Sequence, residues 1–393
     1  MKKQTSIIPY LVLKSVYMFL NQFDVQTTTL MIQYLEKQFS VQKTFTVWFQ
    51  LSYSIVESVL YYPVVILFQN VNHSTIIRCC VPFLIASYIL LSFSTQLSLI
   101  MLFKYLSSLF YAIVSAAVSS YLQHNFLPRY RHLYLIITQQ IVSFINILVP
   151  FVLSNIRVTN YALMYLFSAV FAFFLFLSSF WLPKSVHNER EPFQMIQFVT
   201  SVVCVSFVLL FRFYKLEYLL IICSVVIFVL QVVLERSYVP LQYLQSMVHS
   251  VNQFQIVHYV QKKKLSVLNS ARQILSFSAS FLQFQIQKSE FKIVYSTLCV
   301  CTLVFQLGKY LIQDFEQLIL MFYSFETLPN AIMNQYVQTE ILKQKYQPNS
   351  HLGISVQMKQ LGSLIGSCIG VEYWTSACAA AYVCELIVIF ARK

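Results

Sequence analysis

Residues 161–182 read YALMYLFSAVFAFFLFLSSFWL, a run without one charged side chain. Wound as a helix rising about 1.5 Å per residue, such a run crosses the roughly 30 Å hydrocarbon core of a bilayer. Stretches of the same kind recur from Ile7 to Phe390 with only short polar gaps between them. The whole chain agrees: 58% of its 393 residues are hydrophobic, 10% are charged and the mean hydropathy is +0.65, where a soluble domain carries about 25% charge. No gap is long enough for a soluble domain. The expected class is an all-α polytopic membrane protein.

Outward from that run, the apolar segments place helices near 8–35, 44–68, 76–95, 98–123, 133–155 and 160–182. After the polar break Pro183 to Pro192 they continue near 194–213, 216–235, 242–261, 265–287, 291–312, 315–341, 350–371 and 374–391. The total is fourteen spans, or twelve if one pair does not cross. The expected organisation is a six-helix bundle over 1–182, a central linker with an extra helix pair over 183–241, and a second six-helix bundle over 242–393. Residues 99–133 align without gaps on 318–352, with Leu99/Leu318, Ile100/Ile319, Phe103/Phe322, Leu109/Leu328, Ala112/Ala331 and Val118/Val337 among the identities. Many transporters are two repeated halves around a midplane site.

A net charge of +13 suggests nucleic acid in a soluble protein, but here Lys and Arg stand mostly in short connections between apolar segments, where they set topology. With the N-terminus inside, cytoplasmic segments hold 14 of them and the opposite loops nine, so both termini and the loop 69–75 are expected in the cytoplasm. The sequon Asn72-His73-Ser74 would then stay unmodified. The first segment is too long and too polar for a cleaved signal peptide and is read as a retained helix. The nine Cys form no CxxC pair or Cys/His metal spacing and lie mostly inside apolar runs, as packing residues do. Neither a nucleophile elbow nor a Gly-rich phosphate loop occurs, so no enzyme, metal or cofactor is expected. The five Gly are few for close helix packing.

Several local patterns resemble the major facilitator superfamily and, within it, the reduced folate carrier family of folate and thiamine transporters, best over residues 9–185. Tyr34-Leu35 stands where that family closes helix 1, and Phe45-Thr46-Val47-Trp48 where it opens helix 2 with Phe-Pro-Val-Trp. Phe110-Tyr111, Val114-Ser115-Ala116-Ala117 and Pro128-Arg129-Tyr130 follow its helix 4 pattern in order, and Leu182-Pro183-Lys184-Ser185 its Leu-Pro after helix 6. In the second half, Phe254-Gln255 followed by His258-Tyr259-Val260-Gln261 is similar to its Phe-Gln and Asn-Tyr-Val-Gln. The family's charged motif after helix 2 falls on Val64 to Phe68, which carry no charge, and Ser108 takes the place of the acidic residue that thiamine carriers put before Phe-Tyr. The resemblance implies a major facilitator fold with substrate contacts at Trp48, Ser108, Tyr111, Gln255, His258 and Tyr259.

Ionisable side chains inside predicted spans cost about 2.5–3.5 kcal/mol each at the bilayer centre, so each invites a functional reading. They are Lys14, Asp24, Glu57, Lys104, Arg272, Glu326, Lys359 and Glu385. Asp24 lies beside Asn21 and Thr27 to Thr29, and Glu57 midway along its helix; Asp24, Glu57, Lys104 and Glu326 are the candidates for coupling a proton to substrate. The bland alternative pairs Asp24 and Glu57 with Lys14, Lys104 or Lys359 to hold helices together. Arg272, near a helix end, is expected to reach the interface. The expected function is a multi-pass secondary transporter, monomeric, in the plasma membrane or an internal membrane. Its partners would be a vitamin-like small molecule, with protons or an exchanged anion, and the lipid bilayer, but no nucleic acid. A transport-inactive receptor or scaffold and a proton-coupled exporter of amphipathic compounds are the rivals.

Overall fold

The computed structural model describes residues 7–39, 43–126, 128–156, 161–184, 191–214, 216–234, 238–259, 272, 274–279, 282, 290–311, 316–343, 348–369 and 373–391. Among them there is no strand. The helices are α1 (Ile8–Phe39), α2 (Lys43–Leu67), α3 (His73–Phe93), α4 (Leu97–Asn125), α5 (Pro128–Ile156), α6 (Tyr161–Ser178) and α7 (Met195–Phe213). They continue as α8 (Glu217–Leu234), α9 (Val239–Tyr259), α10 (274–279), α11 (Phe291–Leu311), α12 (Glu316–Lys343), α13 (Pro348–Cys368) and α14 (Trp374–Ala391). Each of the fourteen expected spans has its helix. The ends differ where the sequence sets a cap. Helix α3 starts three residues early because the Asn72 side chain accepts the backbone N–H (3.2 Å) and hydroxyl (3.0 Å) of Ser74. Helix α5 starts five residues early at Pro128, whose fixed φ and missing N–H suit a first helical position.

Five helices are by themselves long and apolar enough to cross a membrane: α3, α4, α6, α7 and α11. On α6, Leu166, Phe167, Val170, Phe173, Phe174 and Leu177 face outward, while Tyr165, Ser168, Ala169 and Ala172 are buried. This inverts a water-soluble helix, with its large apolar groups outside. The chain is an integral multi-pass membrane protein. Hydroxyls inside its helices bond their own backbone, as Thr27 does to the Phe23 carbonyl (2.7 Å) and Ser87 to that of Phe83 (2.8 Å), which satisfies them without water.

The chain divides into two compact units, one of residues 1–198 and 347–353, the other of residues 199–346 and 354–393. In the first, α3 packs on α4 and α6, and α1 on α6, α5, α2 and α4. In the second, α11 packs on α12 and α14, and α9 on α14 and α12. The first, third, fourth and sixth helices of each set of six therefore meet in the same pairs, and the aligned segments fall mainly on the two fourth helices, α4 and α12. Helix α8 packs on α9, where the hydroxyls of Ser224 and Tyr243 lie 2.8 Å apart.

Glycine is scarce, yet two of the five sit in one seam of the second unit. A methyl group on Gly362 would meet the Tyr243 carbonyl oxygen, and one on Gly366 that of Met247. Both obstacles are α9 backbone. Gly362-x-x-x-Gly366 thus lets α13 lie directly on α9, and the Ser250 and Ser363 hydroxyls, 2.7 Å apart, continue the seam.

Candidate functional site

In the first unit, the interior face of α4 carries Lys104, Ser108 and Tyr111, spaced four and three residues apart so that they line up along one side. Lys104 is 2% exposed, and its ammonium donates to Asp24 Oδ2 on α1 (2.8 Å) and to the Thr28 hydroxyl (2.8 Å). Its charge also lies 5.8 Å from the Phe49 ring centroid. Asp24 is 19% exposed at its side chain, so the anionic end of the pair is the accessible one. One turn along, the Ser108 hydroxyl is 3.1 Å from that of Ser52 on α2. A further turn on, Tyr111 is packed between Tyr17 (centroids 5.0 Å apart, stacked) and Tyr53 (5.0 Å, edge-on). Tyr53 donates to Glu57, which is buried one turn further along α2.

The second unit holds a denser centre built from α9, α11, α12 and α14. Glu326, 1% exposed, pairs through Oε2 with Lys309. Its Oε1 accepts from Gln306 (2.8 Å), Asn252 (3.0 Å) and the Tyr382 hydroxyl (3.0 Å). Lys309 also donates to Asn252 Oδ1 (3.1 Å). Tyr382 has one proton and a second acceptor in reach, Asn330 Oδ1 at 2.9 Å, so the shell has two hydrogen-bond arrangements. One turn along α14, Glu385 is fully buried; its Oε2 accepts from the Tyr295 hydroxyl (2.8 Å), which in turn accepts from Gln245 (2.5 Å). Cys299 donates to the Tyr382 carbonyl (3.2 Å) and lies 3.9 Å from the same Glu385 oxygen. Among the described residues no hydrogen bond reaches Glu385 Oε1.

No family model and no curated protein matches the sequence. Solved structures do. The backbone is similar to the human organic anion transporter MFSD10 (TETRAN), with a TM-score of 0.69 at 9% identity over 100% of this chain and 98% of that one. It is similar to the E. coli fucose:proton symporter FucP (N162A) at 0.68, 12% identity, 98% and 99% coverage. A POT family transporter in complex with 5-aminolevulinic acid gives 0.67, 10%, 97% and 94%. The chain has the major facilitator fold. At such identities the likeness carries the major facilitator fold and not a solute, so the narrower likeness to folate and thiamine carriers rests on the sequence motifs.

Within this major facilitator fold, Asp24, Lys104, Ser108, Tyr111 and Glu57 come together inside the first unit, and Asp24 pairs with Lys104, one of the three lysines weighed for it. Trp48 is half-buried at the start of α2; its carbonyl is 3.5 Å from the Tyr105 hydroxyl, and no ring contact joins it to Tyr111. Glu326 is held in the second unit. The side chains of Gln255, His258 and Tyr259 lie outside the described residues. Lys309, Gln306, Asn252 and Tyr382 were not legible as site residues: Lys309 stands two residues from the end of α11, where its charge reads as a loop cation. The polar positions Gln306 and Lys309, three apart in an apolar helix, were the available signal. Arg272 is 9% exposed and donates from Nε to the Thr327 hydroxyl on α12 (3.0 Å), so it does not reach for the interface. A cleft of about 570 Å³ is lined by Val12, Val16, Phe19, Phe171, Phe174 and Trp181 among others, with no ionisable side chain in its lining.

Proposed function

We propose that the chain is a secondary transporter that moves a small molecule across the bilayer by alternating access. The observation that supports this most is that each unit buries a lysine–carboxylate pair, Asp24–Lys104 and Glu326–Lys309. An ion pair at bilayer depth is costly to desolvate and weak as a stabiliser. It is useful where a solute or proton can compete for one of its members. Asp24, Glu57, Lys104 and Glu326 are the proposed coupling groups. The proposed solute is a vitamin-like heterocycle of folate or thiamine type, on the motif resemblance around Trp48 and Tyr111, and Ser108, Gln255, His258 and Tyr259 are proposed to share its recognition. Both termini are proposed to face the cytoplasm.

Uptake of labelled folate and thiamine into proteoliposomes at two pH values tests the reading, and a well-reconstituted protein that moves neither compound removes the vitamin assignment. Removing an aromatic ring from the site is expected to raise the half-saturating concentration about threefold to tenfold, since such contacts contribute about 0.5–1.5 kcal/mol beyond their area. Trp48→Ala and Tyr111→Ala should both show this and Tyr111→Phe less. Unchanged affinity in well-expressed variants at both positions would refute the assignment.

The second reading, a proton-coupled exporter of amphipathic compounds, is favoured by Glu385. Its carboxyl forms no ion pair among the described residues and accepts from the neutral Tyr295, so it can gain and lose a proton without stranding a cation. Glu385→Gln should then abolish pH-driven transport while leaving exchange between equal solute concentrations intact. Loss of both would assign the residue to folding instead.

A further inference from the structure

The cleft of the first unit, between the packed helices α1 and α6, ends beside Arg78, a cation outside both ion-pair centres. Val12, Val16 and Phe19 form its wall on α1. Phe171 and Phe174 form the wall on α6, which the single 3₁₀ turn Ser179–Trp181 prolongs. Phe174, Phe180 and Trp181 are exposed, so the cleft opens outward, toward lipid in a chain that spans a bilayer. From Phe171 to Trp181 the helical rise is about 15 Å, half of a hydrocarbon core of about 30 Å. The cleft therefore has the depth of one leaflet. Its Trp181 end is the surface end: the uncharged run stops there, tryptophan favours the headgroup level, and Lys184 follows, exposed. At that end Arg78 of α3 donates from Nη2 to the Ser179 carbonyl (3.0 Å), and its guanidinium carbon lies 4.4 Å from the centroid of the Phe180 ring, itself part of the lining. Among the described residues, one of its five N–H donors is thus taken. Nε is buried without a hydrogen-bond partner, and no described carboxylate pairs with the charge. An arginine at the mouth of an apolar cleft, with most of its fork unused, suits a phosphate oxygen.

We infer that α1, α6 and Arg78 form a binding site for an anionic phospholipid, with one acyl chain in the cleft, the headgroup phosphate on Arg78, and Lys184 at the same surface. Charge decides the class. A zwitterionic headgroup brings its own ammonium toward two cations, and an anionic one does not. With the N-terminus in the cytoplasm, as proposed, the lipid belongs to the cytoplasmic leaflet, whose anionic lipids attract basic groups near the surface. The site is independent of the solute, and stands whether or not the chain transports one.

Native mass spectrometry of the full-length protein in detergent measures the binding. The probes are phosphatidylglycerol and phosphatidylcholine with identical acyl chains, and glycerol phosphate as a headgroup without chains. Phosphatidylglycerol is expected to bind about tenfold tighter than phosphatidylcholine, and glycerol phosphate far more weakly than either. Arg78→Gln should weaken phosphatidylglycerol about tenfold and bring the two lipids close together. Lys184→Gln, a change at an exposed residue, should weaken it about threefold and carries the test should Arg78→Gln not fold. Val16→Trp, which fills the cleft, should weaken both lipids and leave the preference between them. Phosphatidylglycerol with a photoreactive acyl chain should label residues 12–19 and 171–181. Equal affinity of the parent for the two lipids, an unchanged preference in every folded Arg78 or Lys184 variant, or labelling outside both segments overturns the site. So does glycerol phosphate binding as tightly as the whole lipid, or Val16→Trp binding both lipids as the parent does.

Discussion

Lys309→Met is expected to destabilise the second unit by about 3–5 kcal/mol, because it leaves the Glu326 carboxylate buried without its cation. The loss is not the net worth of the pair. Most of it is the penalty for a stranded charge among Asn252, Gln306 and Tyr382, which can hydrogen-bond the carboxylate but not neutralise it. Glu326→Gln should cost less than Lys309→Met, since the amide oxygen keeps three of those donors. Removing both members with apolar residues should recover much of the stability, as replacing a buried pair by well-packed hydrophobic side chains is often near neutral. Unfolding midpoints of the four proteins in one detergent decide the matter. A Lys309→Met change below about 1 kcal/mol, or a double variant no better than the singles, would show that water reaches this centre and that the charges are solvated.

Gly362→Val and Gly366→Val are expected to abolish a stable second unit. Packing an extra methylene into a filled core costs about 1–3 kcal/mol when neighbours can shift. Here the obstacles are the Tyr243 and Met247 carbonyl oxygens, fixed in the hydrogen-bonded frame of α9, so relief requires moving a whole helix. Gly308 supplies the control. A methyl there would come within 2.9 Å of the Phe322 ring, a side chain that can turn aside, so Gly308→Ala should be tolerated. Monodispersity on size-exclusion chromatography and retained helicity on heating are the readouts. Parent-like behaviour of Gly362→Val would mean that α13 and α9 do not meet along this seam.

The helices were legible because a bilayer imposes one length and one polarity on every crossing, and α6 satisfies both without ambiguity. That Asp24 would need a cation could also be read, since its charge stands in an apolar run, but the sequence left Lys14, Lys104 and Lys359 open as its partner. The Glu326 shell could not. Its members are neutral amides and a tyrosine scattered over α9, α11 and α14, and only the folded arrangement shows that they point at one carboxylate. Counting glycines misled for a related reason. Close approach depends on spacing, and two residues four apart suffice where five dispersed ones would not. Tyr111 lies where a carrier motif puts it, yet its neighbours Tyr17 and Tyr53 came from other helices that no local motif mentions.

The two ion pairs also differ in how far apart their members are made. Asp24 and Lys104 are 80 residues apart in the chain, whereas Lys309 and Glu326 are 17 apart on adjoining helices. During synthesis α1 enters the membrane long before α4 exists, so Asp24 has to wait at the insertion machinery or be sheltered there until its cation arrives. Helices α11 and α12 can leave as one hairpin with their charges already neutralised. Truncated nascent chains ending after α3 should therefore hold α1 only loosely in lipid, while chains ending after α12 should retain the α11–α12 hairpin firmly. Equal retention of both, measured by glycosylation mapping or alkaline extraction, would count against this order of events.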